Sequence, residues 1–172
     1  MSLTIRKIPR VLIQEGSYLA TCFAVIDLGI QYSKIYDTHF PKVMLGWELN
    51  ETAENAGNYV HWQAYTLSLS MEAKLRTLIQ CWRGRVLHSD ELENFKLATL
   101  LGLSCYIIIR HYLNNDQQTW ATIDAIQPIP PDKSPLPLQN PIIYFDLDSY
   151  TEKDCLSLPE FIRKKINFKL ED

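Results

Sequence analysis

The sequence is short of the signals that assign chemistry at a glance. Its four cysteines, Cys22, Cys81, Cys105 and Cys155, form no C-x-x-C pair, and its four histidines have no metal-ligand spacing. Buried free thiols in a reducing compartment are therefore the expected reading, with no disulfide and no metal. There is no glycine-rich phosphate loop, no G-x-S-x-G, no H-E-x-x-H and no Rossmann fingerprint, so no enzyme class and no cofactor is indicated. Asp146-Leu147-Asp148 is an acidic pair that could in principle hold magnesium, but it follows a proline-rich stretch and lacks a second acidic cluster, so a solvated turn is the better account. Long apolar runs are missing too. Cys105 to Ile109 is far shorter than the roughly 20 residues of a membrane helix, and no secretory h-region opens the chain, which points to the cytoplasm.

Basic charge is also scarce. The formal net charge is −3; residues 1–127 carry 11 Lys and Arg against 12 Asp and Glu, and residues 128–172 carry 6 against 8. Proteins that hold nucleic acid mainly by neutralising phosphates show a basic excess, so DNA binding here requires cations clustered locally.

What the 172 residues do contain is ordinary globular composition, 47% apolar and 22% charged, enough for one core. The segment 17–29 is rich in β-branched and aromatic residues between Gly16 and Gly29, and reads as a strand. The stretch 30–41 is polar, unusually aromatic and closes on Pro41, and reads as a loop. Val43, Leu45, Trp47 and Leu49 alternate with Lys42, Met44, Gly46 and Glu48 in a second strand with one buried face. A turn over 50–58 leads to a third strand over 59–69. The period then lengthens to that of a helix: Met71, Leu75, Leu78, Ile79 and Trp82 recur after Ser70, a candidate N-cap, and Gly84 stands at the C-terminal glycine position. Ser89 opens a weaker helical segment. Residues 104–112 and 120–126 flank Asn114-Asn115-Asp116 as a hairpin.

Seven of the nine prolines fall between Pro128 and Pro159, which excludes a central strand and predicts an extended arm. The arm ends in a short amphipathic helix with Leu158, Phe161, Ile162 and Ile166 on one side and Arg163, Lys164 and Lys165 on the other. The expected fold is thus mainly β: a five-stranded oligonucleotide/oligosaccharide-binding (OB)-like β-barrel over 1–127, one helix between strands three and four, and a proline-rich extension over 128–172. Exchange of a free arm between subunits would give a homo-oligomer.

The residues able to bind something are aromatic and basic. Single-stranded nucleic acid stacks its bases on rings and sets its backbone along cations, and OB barrels present both on strands two and three and in flanking loops. The candidates are Lys34 and Tyr36 between strands one and two, Lys42 and Trp62 on the faces opposite the apolar ones, and Arg110, Tyr112 and Trp120 around the last hairpin turn. Each also has a packing reading: Trp62 as a cap on the barrel, Tyr36 and Phe40 as anchors of the loop, Arg110 as a partner of Asp124. Trp47 and Trp82 belong to the core.

The segments "YLATCFAVIDLGIQ", "KVMLGWEL", "YTLSLSMEAKLRTLIQCWRGR", "LLGLSCYIIIRHY" with "WATIDAIQPIP", and "LPEFIRKKI" together resemble a group of phage and prophage proteins encoded among recombination and replication genes. These look like OB-fold single-stranded DNA-binding proteins, and the likeness runs over roughly residues 11–166. It implies single-stranded DNA as the partner, together with a recombination, replication or host protein, without catalysis and inside a bacterial host. A protein-interaction module or inhibitor of a host factor on the same scaffold is the alternative.

Overall fold

The computed structural model describes residues 12–53, 57–135 and 137–168. The elements run β1 (Gly16–Ser33), β2 (Thr38–Ala53), β3 (Gly57–Thr66), α1 (Lys74–Arg83), α2 (Ser89–Glu93), a 3-10 turn (Leu97–Leu100), β4 (Ser104–Leu113), β5 (Thr119–Gln127), β6 (Ile143–Phe145), α3 (Glu152–Ser157) and α4 (Glu160–Arg163). The protein is mainly β. Its sheet follows the order β3-β2-β1-β4-β5 with antiparallel neighbours, and β6 joins β1 in parallel.

β1 is the central strand. Its first part, Gly16–Thr21, pairs with β4, and Ala24–Ile26 pairs with β6, while β2 follows the other edge from Ala20 to Ser33. Bulges at Cys22/Ala24 and Asp27/Gly29 bend the strand and reset which side chains face which layer. Cys22 and Val25 enter one apolar cluster, Phe23, Ala24, Ile26 and Leu28 the other. A strand buried on both faces needs a nearly unbroken apolar run, and Thr21-Cys22-Phe23-Ala24-Val25-Ile26 supplies it.

The first cluster lies between the sheet and α1. Val43, Leu45, Trp47 and Leu49 project into it as their alternation requires, and Leu75, Leu78, Ile79 and Trp82 meet them from the helix. The Trp82 indole N–H donates to the Ser104 carbonyl at 3.0 Å, fixing α1 to the start of β4. Gly84 ends the helix in the left-handed conformation, φ 70°. The helix starts later than its apolar spacing suggests. Met71 is exposed, because residues 70–72 form a turn and Ala73 is the first residue flanking α1.

The second cluster covers the opposite face of β1, β2 and β3, and the chain beyond Gln127 builds it. Phe145, Leu158, Ile162 and Ile166 pack on Phe23, Ile26, Leu28 and Met44. The arm expected to extend freely is thus folded back onto the sheet, and its residues 143–145 form a strand despite the surrounding prolines. Met44 and Glu48, assigned by alternation to the outer face of β2, are buried for this reason.

Glu48 fastens the returning segment. Its carboxylate accepts from the backbone N–H of Gln139 (3.0 Å) and Asn140 (2.9 Å), and from the side-chain amides of Asn140 and Asn58. Burial pushes this carboxyl group upward, but the hydrogen bonds outweigh it and leave the group below its ordinary value.

The free edges of β3 and β5 form no ladder with each other among the described residues. One side chain spans the gap: the Gln63 carbonyl oxygen accepts from Ile123 N–H at 3.0 Å. The same oxygen lies 2.8 Å from Nε2 of buried His61, which must therefore be the protonated ring nitrogen. No helix of the described residues is long and apolar enough to cross a membrane.

Candidate nucleic-acid interface

β1 and β2 continue as a paired ribbon well past the sheet, as far as Ser33 opposite Thr38. The stretch 30–41, expected to be a loop, is therefore mostly strand, and the turn occupies only 34–37. Pro41 is accommodated because it needs to supply only its carbonyl, which accepts from Leu67 N–H at 2.8 Å. Asp37 takes the left-handed conformation that closes the turn, φ 47°. Its carboxylate accepts from the Tyr32 hydroxyl, whose ionisation this bond pushes up.

The hairpin end is aromatic and open. Tyr36 stands edge-on to Phe40 with ring centroids 6.0 Å apart and is 72% exposed; Tyr32 leans on His39 at 5.2 Å. Lys34 and Ile35 project from the turn, both exposed. Lys42 lies back along the ribbon opposite Gly29, where its ammonium donates to Thr66 Oγ1 at 2.9 Å.

The C-terminal segment is tied to the base of this hairpin. The Gln31 side-chain amide donates to the carbonyls of Leu28 (2.7 Å) and Lys165 (2.8 Å). Asn167 donates from its backbone to Leu28 and from its side chain to Ile30. These bonds hold the turn after α4, with Arg163, Lys164 and Lys165, against the base of the ribbon. Gly29 makes the approach possible: its φ is 71°, and a Cβ there would fall 2.7 Å from the Asn167 carbonyl oxygen. The basic triplet, read from sequence as a solvated helix face, belongs to this fastened segment; Lys164 and Lys165 are exposed, and it is the Lys165 carbonyl that meets the ribbon. Only Lys164 of the three has an acidic partner among the described residues, Glu160 at 3.3 Å.

The other candidates lie elsewhere. Trp62 sits on the outer face of β3 beneath the returning segment, edge-on to Phe23 (5.1 Å) and Phe161 (6.0 Å), with its ring over Gly46. Arg110, Tyr112 and Trp120 belong to the β4–β5 hairpin. That hairpin continues past Gly16, whereas the β1–β2 turn follows Ser33, so the two tips lie at opposite ends of β1. Tyr112 and Trp120 face each other across the strands, and Arg110 pairs with Glu15 at 3.6 Å rather than with Asp124. The seven candidates therefore divide into the β1–β2 ribbon (Lys34, Tyr36 and Lys42), the covered outer face (Trp62) and the far hairpin.

The arginines at and just beyond the end of α1 are also engaged. Arg83 and Arg85 both reach Glu91, at 3.2 and 2.7 Å. The Arg85 guanidinium and the His88 backbone N–H hold the Glu91 carboxyl down to about 2. Ile35 and His39 join the hairpin patch unforeseen, while Tyr32, like Phe40, belongs to the aromatic residues that already marked 30–41 as able to bind. No protein-family model matches the chain, and no curated protein matches it.

Proposed function

We propose that the protein is a non-catalytic single-stranded DNA-binding accessory protein of phage or mobile-element replication or recombination, acting in the bacterial cytoplasm. The observation that carries this reading is the exposed aromatic hairpin, at whose base the segment carrying Arg163, Lys164 and Lys165 is fastened through the Lys165 carbonyl. The charge balance of the whole chain is unfavourable, but binding needs only a local patch where rings receive bases and cations follow the backbone. The strand order, with a helix between β3 and β4 and Gln63 bridging β3 to β5, fits a five-stranded OB-like barrel, a fold whose β1–β2 loop contacts oligonucleotides.

The test is anisotropy of a dye-labelled oligo-dT. Intrinsic tryptophan emission is a poor reporter, since Trp47 and Trp82 are buried, Trp62 is covered and exposed Trp120 lies on the far hairpin. Affinity should fall with salt, and Tyr36→Ala should weaken it about fivefold or more, as loss of one stacking ring requires. Absence of binding at low salt refutes the proposal. The outcome would then favour the second reading, a protein-interaction module, for which the specific observation is that the outer face of β2 and β3 is covered by the protein's own C-terminal segment.

A further inference from the structure

A cavity of about 720 Å³ opens on the side of the sheet away from that covered face, bounded by the segments 67–69, 92–98 and 144–148. Its floor reaches the core at Val25, Val43 and Leu75, all nearly inaccessible to solvent. Its mouth carries Asp27, Glu93, Asp146 and Asp148 against a single cation, Lys96. That excess of three negative charges equals the net charge of the whole chain. Among the described residues none of the four carboxylates has an ion-pair partner, and no three such groups come together to hold a metal ion.

The volume lies within the roughly 300–1,000 Å³ of ordinary ligand sites. An apolar floor beneath an unneutralised acidic mouth asks for an occupant with the same two parts, apolar side chains below and positive charge above. Phosphate is repelled, so nucleic acid is excluded from this site. Main-chain partners are also on offer. β6 pairs with β1 along one edge and with no other strand among the described residues, and Tyr144, Phe145 and Asp146 line the cavity.

We propose that this cavity is a docking site for a short extended peptide of a partner protein, carrying lysine or arginine beside apolar residues. The peptide's backbone lies along β6, its apolar side chains enter the floor, and its cations meet the acidic mouth. The site is separate from the aromatic hairpin and does not depend on DNA binding.

The test uses a fluorescein-labelled octapeptide of alternating leucine and arginine, with leucine–glutamate and serine–arginine octapeptides as controls. The leucine–arginine peptide should bind at least tenfold more tightly than either control. Asp27→Asn combined with Asp146→Asn should weaken it at least fivefold. Asparagine preserves the oxygens that accept from Gly29 and Asp148 N–H at 2.9 Å, so the turns remain. Should that variant melt earlier, Glu93→Gln, at an exposed position, tests the same mouth and should cost at least twofold. Tyr36→Ala should bind the peptide unchanged, and oligo-dT should not displace it. No binding, equal binding of the controls, full affinity in the carboxylate variants, or displacement by oligo-dT overturns the proposal.

Discussion

Replacing Glu48 by alanine should loosen the C-terminal segment from the sheet. The wild-type carboxylate accepts from two backbone N–H groups and two side-chain amides, all on chain segments other than its own strand's neighbours in β1. A hydrogen bond to a charged acceptor contributes about 1.5–3 kcal/mol, but Gln139 is exposed and water recovers part of the loss, so a net cost of about 2–4 kcal/mol is expected. In a chain of this size that lowers the melting temperature by about 5–15 °C. The pH dependence carries the sharper test. The folded-state carboxyl lies below its ordinary value of 4.5, so its contribution is fully present above about pH 4.5 and disappears as pH falls through the folded value. The difference in melting temperature between wild type and Glu48→Ala should therefore be largest at neutral pH and shrink below pH 4.5. Burial lowers the pKa of His61 in wild type and variant alike, so its titration cancels in that difference. Scanning calorimetry across pH 3–7 measures it, and hydrogen exchange at Gln139 and Asn140 reports release of the segment directly. A difference that stays constant over this range, or unchanged protection at those two amides, would refute the role assigned to Glu48.

Gly46→Ala places a Cβ 2.6 Å from the Trp62 ring and 3.1 Å from the Ala24 Cβ. The ring must leave its seat between Phe23 and Phe161, at a cost of about 1–3 kcal/mol, with a red shift of tryptophan emission and a lower melting temperature. Thiol alkylation of the native protein should modify exposed Cys81 first and spare Cys22 and Cys105, which are buried; burial pushes the Cys22 thiol up to about 12 and the Cys105 thiol higher still. Mass spectrometry after brief iodoacetamide treatment checks this order.

Local patterns in the sequence carry the elements whose partners are near in the chain. The alternation of Val43, Leu45, Trp47 and Leu49, the stripe of Leu75, Leu78, Ile79 and Trp82, and the stop at Gly84 each follow from the geometry of one strand or helix. The second layer is illegible by the same means, because it joins residues far apart. Glu48 reaches Asn140 across 92 positions, and Gln31 reaches Lys165 across 134. The apolar run of β1 was a local sign that a second layer exists, since a strand with one solvent face has no use for Phe23, Val25 and Ile26 in near succession. β6 escaped notice because three residues leaning on an existing strand need little propensity of their own, and prolines on either side do not interrupt so short a pairing.

The candidate hairpin shows a related limit. Its aromatic content was visible, but Pro41 and the polar residues hid the strand pairing, and nothing in the order of residues places 163–165 beside it. Trp62 was read correctly as lying opposite the apolar face of β3, yet that face is not free. Alternation identifies the two sides of a strand without saying what covers either one.

Because the second apolar layer is completed only by Leu158, Ile162 and Ile166, synthesis in the N-to-C direction leaves a specific interval of exposure. Every strand from β1 to β5 can emerge and pair while Phe23, Ile26, Met44 and Trp62 still face water. Until the last described turns leave the ribosome, the nascent protein presents a sticky sheet face to its surroundings, and premature termination anywhere in the proline-rich stretch would make that state permanent.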